Sequence, residues 1–216
     1  MSARENILAR IRANSAKRGA TTQAEMDQAR SHIATRTRGP APSIARQAPL
    51  VRFEQESERL KSTIDVIASI EEVPLATARY LRDNGLPTSV VGWPALAQLD
   101  WSAAGIAFAN RLANREDAVG VTDCFCAIGE TGTLLLLSSP LTPKLHALLP
   151  ETHICVVSQS RIVATMEDAF DRLRTERGVL PRSTFFVSGP SRTADIEQTI
   201  VIGAHGPYRV HVIIAP

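Results

Sequence analysis

Val119-Gly120-Val121-Thr122-Asp123-Cys124-Phe125-Cys126-Ala127 is followed, across Gly129-Glu130-Thr131-Gly132, by Thr133-Leu134-Leu135-Leu136-Leu137. Both runs are short and nearly continuously apolar, the pattern of strands buried on both faces of a sheet. Their close spacing around a glycine-bounded turn predicts a hairpin, so the sheet carries at least one antiparallel pair. Outward from this segment, strands and helices alternate. Upstream, Ile64, Val66, Ala68 and Ile70 follow a period of two. Ser69 and Glu72 then have capping-box spacing ahead of a helix with Val73, Ala76, Thr77, Tyr80 and Leu81 on one face, stopped at Asn84-Gly85. Further strands are expected at Thr88 to Val91, Gly105 to Ala109, His153 to Val157, Thr184 to Val187, Thr199 to Ile202 and Val210 to Ile214, the last two as a second hairpin. Thr165 and Asp168 open another helix, with Met166, Phe170 and Leu173 inward and Arg172, Arg174 and Arg177 near the C-terminal end ahead of Gly178. The pattern is that of a three-layer α/β/α domain with a mixed, mostly parallel sheet.

The 216 residues, 44% of them hydrophobic, suffice for one full core. Met1 to Arg52 holds ten Lys and Arg against three Asp and Glu, so an arm of about +7 precedes a mildly acidic body. Ser2 and Glu5 start a helix running to about Lys17, a weaker helix spans Gln23 to Thr35, and Gly39-Pro40-Ala41-Pro42-Ser43 to Pro49 interrupts regular structure. Residues 1–50 are therefore expected to form a basic helical arm on a tether, and residues 51–216 the α/β domain. The arm lacks aromatics for stacking on bases and its charges are scattered, which favours docking on a protein or plain solvation over nucleic acid. No apolar stretch is long enough to cross a bilayer and the N-terminus lacks a signal-peptide core, so a cytoplasmic protein is expected. Cys124, Cys126 and Cys155 fall inside strand-like segments, where small buried thiols are at home, and their spacing is not that of a zinc or iron-sulfur site.

Candidate chemistry collects in three loops. Glu130 stands in the Gly129-Glu130-Thr131-Gly132 turn, where small neighbours admit a ligand, and is a candidate general base or nucleophile unless it is simply a solvated turn residue. Ser188-Gly189-Pro190-Ser191-Arg192-Thr193-Ala194-Asp195 leaves a strand and is expected to enter a helix over Arg192 to Gln198. A helix start there would offer N–H groups, the hydroxyls of Ser188, Ser191 and Thr193, and the Arg192 guanidinium to an anion. The alternative is that Ser191 only caps the helix and Arg192 pairs with Asp195 or Glu197 on the surface. His205, before Gly206-Pro207, is a further acid/base candidate, and Lys144 and His146 could line the same rim. Glu130, Ser191, Arg192 and His205 are thus expected to converge on one pocket for a small carboxylate or phosphorylated ligand. Asp123 is an acid with no placement relative to them. Dinucleotide, P-loop, nucleophile-elbow and zinc-protease motifs are absent from the sequence.

Glu130-Thr131-Gly132-Thr133-Leu134, the Leu148-Leu149-Pro150-x-x-His153 run, and Ser188-Gly189-Pro190-Ser191-Arg192-Thr193-Ala194-Asp195-Ile196-Glu197 with His205-Gly206-Pro207 resemble the lactate-utilisation C family, which carries the LUD domain. The resemblance covers about Val51 to Ala215 and, more loosely, the N-terminal helix. It implies the fold of sugar-phosphate isomerases and CoA transferases, and a role in oxidising L-lactate to pyruvate beside two iron-sulfur proteins. Such a chain would be a non-redox ligand-binding or docking subunit carrying no cofactor, with the clusters in its partners. An accessory subunit of a lactate-oxidising complex is expected ahead of the alternative, a stand-alone transferase or isomerase-like enzyme using Glu130 on an anionic substrate.

Overall fold

The computed structural model describes residues 2–17, 21–39, 47–194 and 198–216. Most of the proline-rich tether, together with Asp195 and Glu197, lies outside the described residues. Along the chain come α1 (Ala3–Lys17), α2 (Gln23–Thr35), α3 (Pro49–Arg59), β1 (Thr63–Val66), α4 (Val73–Asp83), β2 (Ser89–Gly92), β3 (Ala107–Ala109), β4 (Val119–Asp123), β5 (Cys126–Ile128) and β6 (Thr133–Leu137). After these follow α5 (Leu145–Leu148), β7 (Thr152–Ser158), β8 (Ile162–Val163), α6 (Met166–Arg177), β9 (Thr184–Val187), β10 (Arg192–Thr193), β11 (Val201–Ile202) and β12 (Arg209–Ala215).

The chain divides into two units, Met1–Ser43 and Ile44–Pro216. In the first, α1 and α2 each open with a capping box. Ser2 N donates to Glu5 Oε2 at 2.6 Å while Glu5 N donates to Ser2 Oγ at 3.3 Å, and Thr22 and Glu25 repeat the exchange. None of the α2 residues is buried, so this helix owes its form to its cap and local propensity.

In the second unit, β12 and β7 lie side by side through the whole register from Arg209↔Thr152 to Ala215↔Ser158. They form the middle of a six-stranded sheet of order β1-β12-β7-β4-β2-β3 in which every pair is parallel. Both faces of this sheet are covered, which is why its strands read as unbroken apolar runs. On one face Val121, Ile154, Val156 and Ile213 pack against Val73, Ala76 and Leu81 of α4. On the other, Cys155, Val157, Val212 and Ile214 meet a second sheet of order β8-β5-β6-β9 through Ala127, Leu134, Leu136 and Val187, with Phe53 of α3 in the same layer. The far face of that second sheet, Cys126, Ile128, Leu135 and Leu137, is closed by Ala169 and Leu173 of α6. The α/β class with a mostly parallel central sheet is as the periodicity predicts, and the antiparallel β5–β6 hairpin belongs to the second sheet.

Two strand assignments need correction. Val119 to Ala127 is two strands: Asp123 still pairs with Val156 of β7, whereas Phe125 N already donates to Leu135 O of the second sheet at 2.8 Å. The last two strands make no hairpin with each other. The β11 strand pairs with β10, and β12 inserts in parallel between β1 and β7. Burial explains the choice, since Val201 and Ile202 are 47% and 44% exposed while Val210, Val212, Ile213 and Ile214 are fully enclosed. A run that can be buried on both faces takes an inner position.

Helix α3 is held by unusually close backbone approaches. A Cβ on Gly129 would lie 2.8 Å from Pro49 O, one on Gly132 2.5 Å from Ser57 N, and one on Gly189 2.5 Å from Leu60 O. Gly132 also has φ +61°, left-handed backbone that glycine adopts without strain. Gly85, at φ +62°, faces open space. Gly85→Ala should therefore cost about 1 kcal/mol from backbone strain alone, whereas Gly132→Ala should cost at least ~3 kcal/mol because α3 must also move. Urea unfolding of the two variants gives the comparison, and equal losses would refute the close-packing account.

Candidate functional site

The sequence motifs gather at the C-terminal end of α3. Antiparallel register sets Leu134 opposite Val187, which brings Thr133 Oγ1 within 2.8 Å of Ser188 Oγ. Ser191 N donates to Pro207 O and Ser191 O accepts from Gly203 N, both at 2.9 Å, so the Gly203 to Pro207 loop is laced to Ser191. A Cβ on Gly206 would touch Ser191 Cβ at 3.2 Å. Arg192 Nη2 donates to Leu60 O at 2.6 Å, at the end of α3. The structure thus joins Thr133, Ser188, Gly189, Ser191, Arg192 and the Gly206-Pro207 segment. Thr193 continues along β10, and His205 stands exposed on its loop. Thr131 is half-buried in its turn. Asp195 falls outside the described residues.

Three expectations change here. Arg192 and Thr193 are not the start of a helix but form β10, paired antiparallel with Val201 and Ile202. The backbone of Ser191 is already committed to Pro207 and Gly203, which keeps the chain extended and overrides the capping pattern. Glu130 turns toward α6, where Oε1 accepts from Met166 N at 2.9 Å, placing a carboxylate at a helix N-terminus where the dipole favours it. His146 lines no rim: it is 2% exposed and its ring faces two carbonyls, Arg111 O at 2.8 Å from Nε2 and Pro143 O at 3.2 Å from Nδ1.

A cleft of about 620 Å³ opens instead at the carboxyl ends of β2, β4 and β7, the edge at which open α/β sheets commonly bind ligands. It lies by Leu137 and Ser138, at the end of β6 remote from Thr133 and the motif loops. Trp93, Leu96 and Val156 form an apolar wall. Trp93 is fixed by its Nε1–H donating to Pro143 O at 3.1 Å. Asp123 enters from the last position of β4, and burial pushes its carboxyl up to about 6, with Arg161 pulling the other way. Across from it, the guanidinium carbons of Arg161 and Arg177 stand 5.5 and 5.8 Å from the centre of the Phe125 ring. Glu176 takes Arg161 Nη1 with both oxygens, at 2.8 and 2.6 Å, and so holds this arginine in place. One carboxyl and two guanidiniums therefore face a half-apolar cleft of ligand size.

The cysteines and inner histidines suit packing better than reaction. Cys124 lines the cleft, but its hydrogen bond with Cys155 and its burial push its thiol well above the usual range. Burial raises Cys126 to about 11, so the reactive thiolate is disfavoured at both. His153, in the Leu148 to His153 run, is fully buried with Nε2 2.8 Å from Thr122 Oγ1, and burial lowers it to about 3. Sequence reasoning noted Asp123 only as an acid without a placement and passed over Arg161 and Arg177. The available signal was a carboxylate interrupting an apolar run at a strand end, where burial has to be compensated by function or by partners.

Residues 94–215, which contain the cleft's carboxyl and two guanidiniums as well as the motif loops, match the LUD domain family. A lactate utilization protein C from an Exiguobacterium species is 33% identical over 165 residues, covering 74% of this chain and 70% of that protein. The Bacillus subtilis lactate utilization protein C is 34% identical over 126 residues, covering 56% of this chain and 52% of that one. An uncharacterised protein of Neisseria meningitidis is 40% identical over 96 residues, and this match spans 41% of its length. The crystal structure of a DUF162 family protein from Deinococcus radiodurans superposes with a TM-score of 0.58 at 24% identity, covering 80% of this chain and 99% of that one, and so shares the fold. No helix among the described residues is long and apolar enough to cross a membrane.

The raised carboxyl of Asp123 has a thermodynamic signature. Its folded value of about 6 exceeds the ordinary one, so the native state favours the protonated form, and that contribution is lost as pH rises through 6. Asp123→Asn should stabilise the protein by about 1–3 kcal/mol at pH 7.5, with the gain fading toward zero near pH 4. Chemical denaturation at both pH values measures this. A variant less stable than wild type at pH 7.5 would contradict it.

Proposed function

The chain belongs to the LUD domain family, and from that membership we propose that it is a component of a bacterial L-lactate utilisation system, supporting oxidation of L-lactate to pyruvate together with iron-sulfur partner proteins. The observation that carries this reading is the 33% identity to a lactate utilization protein C over 74% of the chain. Lactate gives up two electrons and two protons on becoming pyruvate, and a carrier must take the electrons. A 2Fe–2S or 4Fe–4S cluster is typically held by four cysteine thiolates, and this sequence has three cysteines, in none of the spacings such sites use. The reading therefore assigns electron transfer to two iron-sulfur partners, and ligand binding and docking to this chain. A stand-alone transferase acting through Glu130 is less well supported, because that carboxylate already accepts the Met166 N–H of α6.

Reconstitution tests the assignment. Lactate-dependent dye reduction is expected from the chain combined with both iron-sulfur proteins, and not from the chain alone. Robust turnover by the isolated chain, or full turnover by the two partners without it, would overturn the proposal.

A further inference from the structure

The cleft lies away from every motif that the family resemblance marks, and its lining specifies a ligand. Arg161 and Arg177 flank Phe125 on one side, Asp123 ends β4 on another, and Trp93, Leu96 and Val156 close the apolar wall. Guanidiniums hold carboxylates through paired N–H donors, and Arg161 is already oriented by Glu176. A carboxylate at the end of a strand accepts from a hydroxyl or an ammonium. Arg161, Arg172 and Arg177 against Asp123 and Glu176, whose carboxylate takes both Arg161 and Arg172, leave this side of the cleft at +1, which favours a ligand of charge −1 over a zwitterion. At about 620 Å³ the space falls within the range of roughly 300–1,000 Å³ that accommodates drug-sized ligands, so a three-carbon acid would leave most of the apolar wall wet.

We propose that this cleft binds monoanionic 2-hydroxycarboxylates with apolar side chains bulkier than the methyl group of lactate. The carboxylate lies on Arg161 and Arg177, the hydroxyl donates to Asp123, and the side chain covers Trp93, Leu96 and Val156. The 2-position of the hydroxyl rests on the lactate reading above. The anion, the donor and the bulk follow from the cleft itself.

Calorimetric titration of the full chain tests this with 2-hydroxy-4-methylpentanoate, 3-phenyllactate, L-lactate, 4-methylpentanoate and leucine. The two bulky hydroxy acids should bind at least about tenfold more tightly than L-lactate and than 4-methylpentanoate, which lacks the hydroxyl. Asp123→Ala, which removes the acceptor that Asn would keep, should lose the preference for the hydroxyl. Arg177→Ala, at an exposed position, should weaken all the carboxylates by at least about tenfold. Absence of binding at millimolar concentration, a preference for leucine, or affinities unmoved by both substitutions would overturn the proposal. If reconstituted lactate oxidation requires the chain while no hydroxy acid binds, the cleft assignment falls and the lactate reading stands. If the acids bind as expected but the chain is dispensable for lactate turnover, the lactate reading falls and the cleft assignment stands.

Discussion

A chain that leaves one sheet for another between Asp123 and Phe125 cannot cover the strand ends it abandons. Val119 and Val121 are needed in the layer under α4, and Cys126 and Ile128 in the layer under α6. No single strand reaches both, because alternate side chains of a strand serve only its two faces. The backbone therefore bends away at Cys124, and the carboxyl ends of β2, β4 and β7 remain open behind it. The cleft, its apolar wall and the half-desolvated state of Asp123 all descend from this crossing. A carboxylate at the same place in an uninterrupted strand would have been either solvated or excluded.

Much of the fold was legible because it depends on local rules. The helix α4 carries its buried face at the predicted positions Val73, Ala76, Thr77, Tyr80 and Leu81, and the Thr165–Asp168 box opens α6 as its spacing requires. What could not be read was non-local. The β10–β11 pairing and the inner place of β12 depend on which runs win burial on both faces, a competition decided by the whole assembly. The site followed the same division. Glycines and hydroxyls in a recognisable string attract attention, yet Gly129, Gly132 and Gly189 are required because α3 passes too close for a side chain. Asp123, Arg161 and Arg177 come from three separated segments and form no string at all.

The buried polar groups show how the parallel sheet tolerates imidazoles. His211 stacks on Tyr80 at 4.0 Å and lies 2.8 Å from Thr63 Oγ1 through Nδ1, while His153 meets Thr122 in the same way through Nε2. Burial lowers His211 to about 4 and His153 to about 3, so both rings are neutral under ordinary conditions and behave as polar fillers of the core. Each threonine that bonds a ring stands on the neighbouring strand, so these contacts also resist a slip of register.

The order β1-β12-β7 has a kinetic meaning. The first strand of the sheet reaches its neighbours only through β12, and the Thr63–His211 contact spans 148 residues. Closing so long a loop precedes any gain from the pairing, which slows folding. During synthesis, β1 must wait with its hydrogen-bonding edge unmatched until β12 has left the ribosome, while β2, β4 and β7 can already pair with one another. A nascent chain of this topology therefore presents an unfilled slot beside β7, open to any stray strand, and its need for chaperones should be concentrated in the interval between the synthesis of β7 and that of β12.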